Sequence, residues 1–143
     1  MNKLELEKKI VTIIREVVDK KGFVSSIDVL IHLGYLSIID YESWRKGKIE
    51  YLEKVCCVNL GKLSTINRLL KSISVKMKLE PSWQAYNKHG KGPKVKLQFS
   101  KSGNENIEKG YSTHYLNKYR INQLKEMKQF KNESVEHKEK TGE

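Results

Sequence analysis

Residues 59–83 read NLGKLSTINRLLKSISVKMKLEPSW. Leu63, Ile66, Leu70, Ile73 and Met77 recur at helical spacing, while Ser64, Arg68, Lys71 and Lys78 fall on the opposite side. Asn59 can cap a helix running from Leu60 to about Leu79. Pro81 ends it, because proline disfavours helical geometry at the residue before it. A basic-faced helix can lie along a phosphate backbone or in a groove. The same pattern fits an exposed helix side equally well.

Beyond Pro81 the texture changes. Trp83, Ala85 and Tyr86 form one short alternating run, and Val95, Leu97 and Phe99 form another. Between them, Asn87-Lys88-His89-Gly90-Lys91-Gly92-Pro93-Lys94 carries the glycines and proline of a turn. The spacing predicts a β-hairpin over about 83–99 with a basic tip. Asn104 can cap a further helix through Ile107, Tyr111 and Tyr115, continuing through Leu116, Tyr119, Leu124 and Met127. Residues 131–143 are nearly all charged or small, which predicts a disordered tail.

Upstream, Leu6, Ile10, Ile13, Ile14, Val17 and Val18 share one side of a helix over 3–21 that stops at Gly22. Ser25-x-x-Asp28 and Ser37-x-x-Asp40 each have capping-box spacing and open two short helices, ending near Gly34 and Gly47. Another short helix is expected over 49–58, with Tyr51, Leu52 and Val55 inward. The predicted fold class is therefore α+β and mainly helical. A helix-turn-helix-like core carries one winged-helix-like hairpin and a C-terminal helix, in one domain over 1–130. Other small helical bundles satisfy the same spacing. The link Glu80-Pro81-Ser82 is longer than the usual connection from a recognition helix to its wing.

The chain has a formal net charge of +11 over 143 residues. That excess is unevenly placed. Residues 1–53 hold nine Lys/Arg and nine Asp/Glu, and residues 102–143 hold eight and seven. Residues 54–101 hold eleven Lys/Arg against one acid, Glu80. A neutral N-terminal part followed by a basic block reads as a scaffold plus a surface for a polyanion. A solvated lysine-rich face is the competing explanation. The candidate nucleic-acid contacts are Arg45, Lys62, Arg68, Lys71, Lys78, Lys88, Lys91, Lys94, Lys96 and Lys101. Trp83, Tyr86 and Phe99 could stack on unpaired bases, although their strand positions favour core packing for at least two of them.

Other chemistry finds less support. Gly90-Lys91-Gly92 lacks the Gly-x4-Gly-Lys-Ser/Thr frame and a following helix. Ser100-Lys101-Ser102-Gly103 is a better small anion site, since it leads into the Asn104 cap, but a plain turn explains it as well. His32, His89, His114 and His137 stand far apart, and none has a cysteine at metal-ligand spacing, so no metal or cofactor is expected. Cys56 and Cys57 are adjacent and the only cysteines, which fits a reducing compartment. The N-terminus lacks the apolar core of a signal peptide, no run is long enough to span a bilayer, and the cytoplasm is the expected location. Tyr111, His114 and Tyr115, with Glu105 or Glu108 as orienter, are the one candidate catalytic group.

The stretch from about Leu33 to Tyr115 resembles a family of small bacterial proteins of uncharacterised function. The residues that carry the resemblance include Gly34-Tyr35-Leu36, Trp44-Arg45-x-Gly47 and Asn59-Leu60-Gly61-Lys62. Further on they are Pro81-Ser82-Trp83, Gly90-Lys91-Gly92-Pro93-Lys94, Leu97-x-Phe99-Ser100-Lys101-Ser102-Gly103 and Tyr111-x-Thr113-His114-Tyr115. This resemblance implies no activity. From the residues, the leading expectation is a non-enzymatic nucleic-acid binder, with DNA preferred over RNA. An enzyme on a phosphorylated or nucleic-acid substrate is one alternative. The other is a protein-interaction adaptor, with self-association through the C-terminal helix.

Overall fold

Helix α1 (Lys3–Lys21) packs Leu6, Ile10, Ile13, Ile14, Val17 and Val18 into the core, the six positions its periodicity picks out. Asn2 caps its start by accepting from the Glu5 N–H. Gly22 ends it with φ 85°, and its N–H donates to the Val18 carbonyl. A Cβ on Gly22 would also lie 3.1 Å from the Ile121 Cα, so both the backbone sign and the close approach require glycine there. The structure, a computed structural model, describes residues 2–141.

The Ser25 and Ser37 signals both operate. Ser25 caps α2 (Ser26–Leu33) in a full capping box, with Asp28 accepting from the Ser25 N–H at 2.9 Å. Asp28 thus does the work usually given to glutamate or glutamine. Ser37 caps α3 (Ile38–Arg45), which buries Trp44 completely. The helix expected over 49–58 is reduced to a single 3₁₀ turn at Leu52–Val55. Its backbone is diverted: the Leu52 and Glu53 N–H groups donate to the carbonyls of Gln98 and Phe99. Asn59 caps α4 (Leu60–Lys76), whose buried side is Leu63, Ile66, Leu69, Leu70 and Ser74.

The larger corrections concern the sheet. Strands β1 (Phe23–Ser25), β2 (Glu80–Trp83) and β3 (Thr113–Leu116) form an antiparallel sheet in the order β1-β3-β2. Ser25 and Ser82 both pair with His114, and Phe23 and Glu80 both pair with Leu116. The expected hairpin over 83–99 therefore does not form as two regular strands. Trp83 pairs with Thr113, and residues 84–99 make an irregular arm. One bridge, Asn87 with Lys96, pins that arm, helped by hydrogen bonds from Lys88 N to Val95 O and from Leu97 N to Tyr86 O, both 2.8 Å. The two strands of the true hairpin are β2 and β3, with the arm and α5 (Glu105–Ser112) inserted between them.

The helix expected to run from Asn104 past Met127 is broken by β3. Thr113–Leu116 takes the central position of the sheet, so its backbone groups are satisfied by a partner on each edge rather than along a helix. Asn104 does cap α5, accepting from the N–H groups of Asn106 and Ile107. Helix α6 (Lys118–Thr141) packs its first turns on α1, where Ile121 meets Gly22 and Arg120 reaches Asp19, and then runs through most of the stretch whose composition reads as an unstructured tail. Its lysines, glutamates and glutamines are good helix formers, and Gln129 reaches Glu133 one turn on at 3.1 Å. Residues 142 and 143 lie outside the described residues.

The core is continuous from α1 to β3. Its centre is aromatic: Phe99 packs on Trp44 at 4.9 Å, on Tyr86 at 5.1 Å and, stacked, on Tyr111 at 5.4 Å between ring centres. The Trp44 indole N–H donates to the Gln98 carbonyl at 2.8 Å. This cluster anchors the end of the arm and the turn that follows it against α3 and α5.

Candidate nucleic-acid interface

A cavity of about 840 Å³ lies between α4 and the segment from Ser100 to Tyr111. One wall is the outward row of α4: Leu60, Ser64, Asn67, Arg68 and Lys71. These are three and four residues apart, so the helix stacks them on one face. The other wall is the turn 100–102 with Asn106, Ile107 and Gly110 of α5, and Glu53 and Tyr111 complete the lining. Arg68, Lys71 and Lys101 are thereby brought to one opening from two separate parts of the chain.

Two carboxylates build this groove. Glu108 accepts from the Phe99 N–H at 2.8 Å, and from the Ser100 N–H and hydroxyl at 2.7 Å each. Glu53 accepts from the Lys101 N–H at 2.9 Å and from the Tyr111 hydroxyl at 2.7 Å. Burial, with the Glu53 carboxylate beside it, pushes the Tyr111 phenol well above its ordinary value. The turn 100–103 is therefore not a vacant anion loop. Glu108 takes the Ser100 N–H, Glu53 the Lys101 N–H and Ser100 itself the Gly103 N–H. The backbone of Lys101 is held, while its exposed side chain faces the groove.

The remaining candidates sit elsewhere. Arg45 donates from Nε to His89 Nε2 at 3.0 Å, lies 4.9 Å over the Tyr86 ring, and its carbonyl accepts from the His89 N–H. Lys88 runs over Gly47, where an added Cβ would come within 3.0 Å of its side chain. Lys91 and Lys94 are exposed at the tip of the arm. Lys96 covers the ring of exposed Trp83, and Lys62 covers Tyr35, each at 5.5 Å. Lys78 follows the end of α4 at φ 61°, a conformation rarely adopted by a residue other than glycine. The ten cations thus form a groove group of Arg68, Lys71 and Lys101, an arm group of Arg45, Lys88, Lys91 and Lys94, and three separate positions.

None of the ten is held in an ion pair among the described residues, and the one carboxylate lining the groove is Glu53. The ion pairs among the described residues are Lys21–Asp28, Lys118–Glu80 and Arg120–Asp19. None uses a cation of the 54–101 block, and the block's own acid, Glu80, pairs outward with Lys118 at 2.8 Å. Tyr86 and Phe99 are buried, whereas Trp83 is half exposed beneath Lys96.

The candidate catalytic group is taken apart. The Tyr111 hydroxyl is spent on Glu53, and Glu108 on the turn. His114 and Tyr115 are neighbours on a strand and point to opposite faces. His114 Nε2 lies 2.7 Å from the Tyr86 hydroxyl, and its ring stacks on Phe23 at 4.8 Å. Burial lowers the His114 pKa, with Lys21 adding to the shift and Asp28 opposing it, and burial pushes Tyr86 up to about 12. Among the described residues no three His, Cys, Asp or Glu side chains gather as metal ligands, and no helix is long and apolar enough to cross a membrane.

Sequence reasoning misses Glu53, Asn67, Asn106 and Ile107 as groove residues, and reads Tyr111 as part of a catalytic group. Asn67 carries a faint signal, as an amide directly after Ile66 of the apolar stripe. Its Oδ1 accepts from the Ser26 hydroxyl at 2.5 Å. Comparison with known protein families, characterised proteins and solved structures finds no match to this chain.

Proposed function

We propose that the protein binds nucleic acid without catalysing a reaction, with DNA as the preferred form. The observation that carries this reading is the convergence of Arg68, Lys71 and Lys101 on one groove, with no carboxylate paired to any of them among the described residues. Unpaired cations held at fixed spacing gain affinity by releasing counterions from a phosphate backbone. The connectivity supports the same reading. A strand follows α1, α4 leads directly into β2, and β3 returns between the other two strands. That is the order of a helix-turn-helix core with a wing, here enlarged by the arm and α5. In this arrangement α4 meets one stretch of backbone while Lys88, Lys91 and Lys94 reach another.

The test is a fluorescence anisotropy titration of a labelled duplex at two salt concentrations. Affinity should drop by at least tenfold between about 50 and 200 mM salt if three or more phosphates are engaged. Binding that is indifferent to salt overturns the proposal, as does failure to bind both this duplex and a single strand of the same length at the lower salt.

A second reading concerns α6. Tyr119, Met127 and Phe130 are exposed along it, whereas Leu116 belongs to β3 and Leu124 is half buried. An apolar row that starts where α6 packs on α1 and continues along its exposed turns suits self-association. Light scattering of the full chain and of Met127→Ser/Phe130→Ser distinguishes a dimer that this pair disrupts from a monomer.

A further inference from the structure

We infer that the groove between α4 and α5 takes an unpaired nucleotide, so that the protein favours single-stranded nucleic acid or a strand end over a blunt duplex. This inference rests on the nucleic-acid reading above and adds to it the state of the strand. A surface that only tracks duplex phosphates has no use for a concave apolar interior, yet this groove has one. Leu60 and Ile107 face it from opposite walls and remain 59% and 43% exposed, an arrangement that leaves apolar surface uncovered. The volume of about 840 Å³ falls within the roughly 300–1,000 Å³ range of organic-ligand sites. A flat, weakly hydrated base between two aliphatic side chains would cover that surface.

The polar groups around the apolar pair match the rest of a nucleotide. Arg68, Lys71 and Lys101 supply the charge for flanking phosphates. Asn67 and Asn106 place side-chain amides in the lining, and an amide presents a donor and an acceptor to a base edge. The Asn67 oxygen is oriented by Ser26, which leaves its NH₂ group to donate. Leu60 opens α4, so the start of that helix, capped by Asn59, lies at this end of the groove. Tyr111 does not stack on the base. Its ring is 1% exposed and already stacked on Phe99, so it serves as floor. The base is therefore held by aliphatic packing and amide contacts, and the strand by charge.

The experiment uses the full chain and three labelled probes of equal length: a blunt duplex, a single-stranded DNA and a single-stranded RNA. Each is titrated against the wild type, Ile107→Ser, Leu60→Ser and the control Ile39→Ser, a change at an exposed position outside the groove. The wild type should bind at least one single strand about tenfold tighter than the duplex, the scale of removing roughly 55 Å² of apolar surface from water. Ile107→Ser and Leu60→Ser should each erase most of that preference by weakening single-strand binding about tenfold. Ile39→Ser should leave both unchanged. Equal affinity for duplex and single strands, or a preference that survives both groove variants, overturns the inference while the nucleic-acid reading stands. Failure to bind any probe overturns both.

Discussion

The Tyr111 hydroxyl donates to Glu53 Oε2 at 2.7 Å, joining residues 58 positions apart. The same carboxylate holds the Lys101 N–H through its other oxygen. One acidic side chain thus ties α5 to the 3₁₀ turn and fixes the backbone from which Lys101 extends. Tyr111→Phe keeps the ring and removes the donor. It should cost about 1–3 kcal/mol of stability, because a half-buried carboxylate loses a partner. Urea denaturation measures this, and an unchanged midpoint would show that the bond carries no weight.

Glu108 does the equivalent work on the other side of the turn. Replacing it with alanine strands the N–H groups of Phe99 and Ser100, which are 3% and 1% exposed. The expected loss is on the order of 3 kcal/mol, well beyond that of an ordinary surface change. Because the groove wall is built on this turn, Glu108→Ala should also weaken nucleic-acid binding although no phosphate contact is removed. Denaturation and anisotropy on the same variant check both parts.

His114 makes stability depend on pH in one direction. Burial lowers its pKa below the ordinary 6.5, so the unfolded chain takes up a proton more readily than the folded one. Stability attributable to neutral His114 is complete above about pH 6.5 and is lost as pH falls towards the depressed folded value. His114→Gln, which keeps a polar partner near the Tyr86 hydroxyl, should flatten the pH dependence of the unfolding midpoint between pH 7 and 5. A wild-type midpoint that stays level or rises over that interval would contradict the assignment.

What the sequence discloses and what it hides divides by range. The caps at Ser25, Ser37, Asn59 and Asn104 are signals contained within three residues, and each begins a helix as expected. The apolar stripe of α4 and the basic residues opposite it are equally local. Strands β1 and β3 are not. With three and four residues they show too little alternation to register, and β3 exists because Phe23–Ser25 and Glu80–Trp83 approach it from both sides. In isolation, Thr113–Leu116 reads as a continuation of the helix before it. The groove follows the same rule. Its cations stand out by charge, whereas its floor depends on Glu53 meeting Tyr111 and Lys101 through contacts with no trace in local spacing.

The account stands most directly on phosphate contact by Arg68, Lys71 and Lys101. The deciding measurement is the slope of log Kobs against log salt for the wild type and for the triple variant Arg68→Gln/Lys71→Gln/Lys101→Gln, with circular dichroism confirming the fold of both. Each phosphate contact should contribute about 0.7–0.9 to the slope through the counterions it releases, so the variant should be shallower by roughly 2–3. Identical slopes in two folded proteins would mean that these three cations touch no phosphate.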